Sequence, residues 1–153
     1  MKLDYSLRLA VYFGDDDVEL VKLFVENGAD PKQTISVAGE DLTTNSKRLL
    51  EIAIDQAKSG IAGYLSSVCY PELSHFFSLV EDSRLSPAER YSYMPGFIKE
   101  ALTETRDIRK LDRVALKMAG IKLGHMDAFE NAVAKLNAES GEILNAVLVD
   151  KQD

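Results

Sequence analysis

The sequence predicts an all-α protein, and three observations predict this class. Apolar residues recur at helical spacing through most of the chain. Proline, glycine and capping residues stand where helices begin and end. The composition, 46% hydrophobic and 28% charged over 153 residues, is that of one folded unit with a sizeable core.

The N-terminal segment predicts two helices, at 6–14 and 18–27. Three consecutive aspartates, at 15–17, lie between them and suit the N-terminus of the second helix. Gly28 suits the left-handed residue that closes a helix, and Pro31 prevents the helix from continuing. The run "VELVKLFVENGADP" therefore reads as a helix with an extended exit.

A polar connection over 30–48 follows, and its segment "TISVAG" fits one arm of a short hairpin. Two more helices are predicted at 47–58 and 59–68, where leucine, isoleucine and alanine recur at helical spacing. These two helices repeat the arrangement of the first pair.

Helices are also predicted after the second pair. One helix is predicted to begin at Pro71 and another at the capping box Ser86–Glu89. Two further helices are predicted over 96–120 and 126–139. The 96–120 helix follows a break at Pro95-Gly96 and closes at Gly120. Residues 140–149 fit either a helix or a strand.

The stretches "LRLAVYFG" at 7–14 and "LLEIAIDQA" at 49–57 share a pattern of leucine, at Leu7 and Leu50, followed three residues later by alanine. Each precedes a second helix, and the first of these exits through Gly-Ala-Asp. This arrangement resembles ankyrin repeats over about residues 5–68. The spacing from Leu7 to Leu50 exceeds the family period of about 33 residues, mostly within the 30–48 connection.

The resemblance implies a helix-turn-helix stack of two repeats over 1–70. Because two repeats are too few to bury a stable core, we expect residues 71–153 to form an α-helical cap packed on the repeats, within a single compact unit.

The resemblance also implies a protein-binding surface on the exposed inner face of the first helices. The positions in the two repeats are Arg8, Tyr12, Phe13, Glu51, Asp55 and Gln56. The long connection adds Lys32, Gln33, Glu40 and Asp41. Alternatively, the 30–48 connection is a surface insertion without function, and Tyr12 and Phe13 pack on neighbouring residues and do not bind a partner.

The leading functional hypothesis is a non-enzymatic protein–protein interaction module. The net charge of −7, spread over both halves, favours a partner with a basic surface. A small acidic inhibitor or immunity-type protein that blocks its partner fits this size and charge. No cofactor is expected.

Two alternatives use the predicted helix at 96–120. Its basic stripe could serve a regulator that contacts nucleic acid: Lys99, Arg106, Arg109, Lys110, Arg113 and Lys117. Interleaved acidic residues and the acidic chain argue against this contact. Its apolar face over 97–119 could instead support self-association.

Groups with catalytic or metal-binding chemistry are few. Cys69, His75 and His125 lack the spacing of metal ligands or nucleophile–base pairs, so we expect neither an enzyme nor a metal site. Cys69 and His75 are expected to be structural and at least partly buried. The single cysteine, with no apolar run near ~18 residues, predicts a soluble cytoplasmic protein.

Overall fold

A computed structural model describes residues 2–38 and 44–151, with side chains over 3–35 and 47–139. The chain is predominantly helical, which confirms the all-α class. The helices are α1 Lys2–Tyr12, α2 Val18–Glu26, α3 Leu49–Asp55, α4 Ser59–Cys69, α5 Pro71–Ser78, α6 Pro87–Ser92, α7 Met94–Lys99, α8 Thr105–Ile108, α9 Arg113–Met118 and α10 Met126–Lys151. The strands are β1 Thr34–Ala38 and β2 Thr44–Arg48. A 3₁₀ turn, Leu123–His125, precedes α10, which makes the ambiguous segment 140–149 helical.

The described residues fall into two compact units. The first comprises the chain up to Pro71 together with Pro87–Ser92, and the second comprises Glu72–Ser86 and the chain from Tyr93 onwards. Helix α6 thus belongs to the first unit, although it comes from the C-terminal half. The expectation that 71–153 packs on the repeats as one cap stays a prediction.

The first unit is built from two helix pairs that pack side by side. Helix α1 packs against α2 and α3, while α4 packs against α3 and α2. The residues that the repeat pattern aligns, Leu7 with Leu50 and Ala10 with Ala53, are all buried in this interface. Helix α6 covers the second pair by packing against α3 and α4.

A β-hairpin joins the two pairs. Strands β1 and β2 run antiparallel with Thr34 opposite Arg48, so the "TISVA" segment is one arm of a hairpin, as predicted. The second arm was not foreseen. Lys47 and Arg48 belong to β2, and α3 begins only at Leu49 rather than at 47.

The two helix pairs exchange capping groups. Asp17 caps α2, as expected, by accepting a hydrogen bond from the N–H of Leu20. The Asp16 carboxylate instead reaches the N-terminus of α4, where it accepts hydrogen bonds from the N–H groups of Gly60 at 2.9 Å and Ile61 at 2.8 Å. In return, Lys58 Nζ donates to the carbonyl of Val11 at the C-terminal end of α1, at 2.6 Å.

Within the part of the chain that the structure describes, four helices end in the same closing turn, with a left-handed residue after the last turn. The glycines that hold this position, Gly28 and Gly120, have φ of +106° and +100°, as predicted. Alanines hold it at Ala57 and Ala101, with φ of +56° and +59°. Because an L-residue is disfavoured in this region, neither alanine signals a helix end in the sequence.

The predicted single helix over 96–120 is wrong, because the chain forms α7, α8 and α9 there. Helix α7 closes at Ala101, where the N–H of Leu102 donates to the carbonyl of Phe97 at 2.8 Å. The backbone is then extended at Glu104. Gly96 lies inside α7 and not at a break, and a Cβ there would collide with the carbonyl of Ala119.

Aromatic side chains form the core of the second unit. Phe76 and Phe77 of α5, Phe97 of α7 and Phe129 of α10 are buried, with ring centroids 5.3–6.2 Å apart. Phe97 and Ile108, which were expected on a face for self-association over 97–119, are fully buried in this unit. The predicted continuous apolar face over 97–119 therefore does not form, while self-association through this segment stays a prediction.

We expect Asp16→Ala to destabilise the protein by about 1–2 kcal/mol, because two N–H groups at the start of α4 lose their acceptor. Asp15→Ala is the matched control, since no hydrogen bond from a described residue reaches its carboxylate. Urea unfolding measures the free energy of unfolding of both variants, provided that the m-value is unchanged. Equal free energies of unfolding for the two variants would contradict the exchange of caps.

We expect Ala101→Gly to stabilise the protein by about 0.5–1 kcal/mol, because glycine adopts the left-handed conformation without the cost that alanine bears. Ala134→Gly, at an exposed position inside α10, should destabilise by ~1 kcal/mol and serves as the control. Thermal unfolding of both variants provides the measurement, and a lowered midpoint for Ala101→Gly would contradict the assigned helix end.

Candidate functional site

Helix α1 exposes an apolar stripe, defined here as Tyr5, Leu9, Tyr12 and Phe13. These residues follow one another at i, i+4, i+7 and i+8, which places them on one side of the helix and its C-terminal end. Phe13 is 76% exposed and Tyr5 61% exposed. Large apolar side chains that share a surface in this way mark interaction sites.

A shallow depression of about 180 Å³ adjoins this stripe. Its lining residues are Tyr12, Lys47, Ile52, Asp55 and Gln56. The structure thus brings together three of the residues that the sequence proposed, one from α1 and two from the end of α3. Tyr12 belongs to both the stripe and the depression, so the apolar and polar parts are continuous.

An ion pair forms the polar wall of the depression. Lys47 Nζ lies 2.7 Å from Asp55 Oδ2. The pKa of Lys47 lies above its ordinary value, chiefly because its ammonium group donates a hydrogen bond to Asp55. The negative charge of Asp55 is the second cause. Both side chains are largely exposed to solvent, so the pair contributes little to stability and leaves the Asp55 carboxylate accessible.

Two of the proposed residues serve the fold instead. Gln33 is buried, contrary to the expectation of an exposed position on the connection. Its amide donates to the carbonyl of Asp4 at 3.1 Å and to that of Asp30 at 3.0 Å. Its Oε1 accepts from Arg8 Nε. Arg8 and Gln33 thus connect α1 to the chain that follows α2, and their polar groups already have partners within the first unit.

The other proposed residues do not line the depression. Glu51 lies on α3 and is partly exposed, and Lys32 is exposed in the turn before β1. Glu40 and Asp41 lie outside the described residues. Conversely, the sequence interpretation missed Tyr5 and Leu9, although their spacing from Tyr12 and Phe13 was a readable signal.

The chemistry-bearing side chains have structural partners. His75 is exposed, not partly buried as expected, and its Nε2 lies 2.8 Å from Glu139 Oε2. His125 Nδ1 lies 2.6 Å from the hydroxyl of Tyr93. Among the described residues, no three histidine, cysteine or acidic side chains are grouped so as to hold a metal ion.

The basic stripe proposed for nucleic-acid contact does not form one helical face, because its residues are divided among α7, α8, α9 and the turns between them. Arg106 Nε is 2.8 Å from Glu104, and Arg113 is held by Asp127 and Glu130 at 3.1 and 2.7 Å. Acidic side chains therefore neutralise two members of the predicted stripe.

Cys69 should react slowly in the folded protein. Burial raises the pKa of its thiol, with Asp30 adding to the shift and Lys32 and Arg48 opposing it. We expect alkylation by iodoacetamide at about pH 8 to be about tenfold slower than in the urea-unfolded chain. Because the folded state disfavours the thiolate, this group's stabilising contribution is lost as pH rises above about 8.5, its unfolded pKa. Equal alkylation rates would contradict the burial.

Within the described ranges, no helix has the length and apolarity needed to cross a bilayer. Comparison of the chain with protein-family models, with curated proteins and with solved structures gives no match. The resemblance to ankyrin repeats therefore stays a prediction, and the site is interpreted from its own geometry.

Proposed function

We propose that this protein is a non-enzymatic protein-binding module, and that it binds its partner with the α1 stripe and the adjoining depression. One observation carries the proposal. Exposed aromatic side chains meet an accessible carboxylate and amide at Tyr12, on the helices that the predicted ankyrin repeats use for recognition.

The aromatic part of this surface suits a binding anchor. The rings of Tyr12 and Phe13 stand edge to face with centroids 4.7 Å apart. Each ring therefore limits the freedom of the other before any partner arrives, which reduces the entropy lost on binding. Tyrosine is also among the residues enriched at the energetic centres of interfaces.

The charge of the surface selects the partner. Residues 1–70 contain 7 basic and 11 acidic side chains, a net charge of −4. An acidic field of this kind accelerates encounter with a basic protein surface and does little for an acidic one. We therefore propose a basic partner, with inhibition or immunity-type blocking as the specific role, and a cytoplasmic setting in keeping with the single cysteine.

The arrangement of the first unit supports an ankyrin-like stack. Two helix pairs pack side by side, a β-hairpin connects them, and their aligned leucines and alanines form the interface. This is the geometry in which repeat units present a shared binding surface while burying a common core.

We expect Phe13→Ser combined with Asp55→Arg to abolish binding of the cognate partner while leaving the fold intact, because both side chains are exposed. The matched control is Leu23→Ser combined with Glu19→Arg on α2, where both side chains are also exposed. Affinity capture from host lysate with wild type and both variants, followed by quantitative mass spectrometry, identifies any protein lost only with the Phe13/Asp55 variant. Thermal unfolding checks that all three proteins are folded.

The purified partner then provides a second readout. If the acidic field steers the encounter, the association rate should fall between about 50 and 300 mM salt. Capture of the same proteins by wild type and by the Phe13/Asp55 variant would contradict the proposed surface. Recovery of nucleic acid alone would favour the alternative regulator.

A further inference from the structure

The second unit contains an apolar groove where α9 turns into α10. Its volume is about 440 Å³ and its wall is almost entirely apolar. The lining residues are Arg113, Val114, Lys117, Ile121, Leu123 and Met126. The two basic residues contribute the alkyl parts of their side chains to this wall.

Large apolar side chains around this groove are unusually exposed. Val114 is 67% exposed, Met118 75% and Leu123 79%. Val114 and Met118 lie one turn apart on α9, so they share a face of that helix. The flexible, polarisable side chain of Met118 adapts readily to the surface of a partner.

Basic side chains predominate in the segment that forms α9 and the turns on either side of it. The segment 109–122 contains five basic side chains and one acidic side chain, in a chain whose net charge is −7. Of these basic residues, only Arg113 forms a salt bridge with a side chain that the structure describes, and its partners are Asp127 and Glu130. Lys117 and Lys122 form no salt bridge or hydrogen bond through their ammonium groups with any described residue. Among the described residues, the groove therefore has the unpaired Lys117 in its wall, and the unpaired Lys122 lies in the chain between the lining residues Ile121 and Leu123.

We propose that this groove binds an acidic amphipathic helix of another protein. The apolar side chains of that helix fill the groove between Val114 and Leu123, and its flanking carboxylates pair with Lys117 and Lys122. This is recognition of a helix by a groove, with anchors at i, i+3, i+4 and i+7. The site lies in the second unit and is independent of the proposed function of the first.

The observations favour a protein segment over the other anions that lysines attract. A phosphodiester backbone would leave the apolar wall and the exposed Met118 without a partner. A small anionic amphiphile needs a site that encloses most of its surface. This groove is open to solvent, since its lining residues Val114 and Leu123 are themselves largely exposed. An amphipathic helix covers the exposed apolar side chains and reaches both lysines.

The test uses a fluorescein-labelled synthetic peptide of about 18 residues, with leucine at i, i+3, i+4 and i+7 and glutamate on the other positions. Fluorescence anisotropy at about 50 mM salt measures its affinity for the full chain. We expect saturable binding that weakens about tenfold or more in Val114→Asp/Leu123→Asp and in Lys117→Glu/Lys122→Glu. A counterpart peptide with lysine in place of glutamate should bind at least about tenfold more weakly.

Exposed residues elsewhere supply the matched controls. Leu23→Asp/Val68→Asp and Lys32→Glu/Lys99→Glu change the same residue types outside the groove and should leave the affinity unchanged. Thermal unfolding establishes that each variant is folded. The proposal is overturned if binding is not saturable, or if the controls weaken it equally. It is also overturned if dodecanoate or single-stranded DNA displaces the labelled peptide as effectively as the unlabelled peptide does.

Discussion

The exchange of capping groups between the two helix pairs is the interaction on which the first unit depends. Asp16 supplies the acceptors at the N-terminus of α4, and Lys58 supplies a cation to the carbonyl end of α1. Each charged side chain binds backbone groups at the end of a helix in the other pair, where those groups have no partner within the helix. Each charge also has the sign that the helix dipole favours at that end. The exchange therefore fixes how far one pair can slide along the other. That register in turn places the end of α1 beside the end of α3, where the depression forms.

The sequence allowed α2 to be predicted because residues with specific backbone preferences stand at both of its ends. Gly28 and Asp17, at the two ends of α2, behave as expected. The exchange itself was not predictable, because three adjacent aspartates look equivalent and Asp16 acts on backbone groups 44 and 45 residues away. The break after α7 was missed for another reason: Ala101, a strong helix former, takes the left-handed conformation there.

The site followed from the sequence only in part. Asp55, the last residue of α3, and Gln56 after it line the depression together with Tyr12, while their role in binding stays a prediction. Gln33 looked like an exposed polar loop residue, yet its buried amide satisfies backbone carbonyls of two segments. Local polarity cannot distinguish these cases, because the difference depends on which distant backbone groups need a donor. Likewise, the basic stripe was predicted on the assumption of one continuous helix over 96–120. Its residues do not share a helical face, because the chain turns between α7, α8 and α9.

The glycines of α4 have a consequence for how the first unit folds. A Cβ at Gly60 would lie 2.7 Å from Val18 Cγ2, and one at Gly63 would lie 2.9 Å from the hydroxyl of Tyr91, so an alanine at either position would force a neighbouring side chain to shift. The same two glycines make α4 a poor helix by itself, by about 1 kcal/mol each relative to alanine. Helix α4 therefore gains its stability only on docking. The helical state of α4 is thus coupled to its packing against α2, α3 and α6.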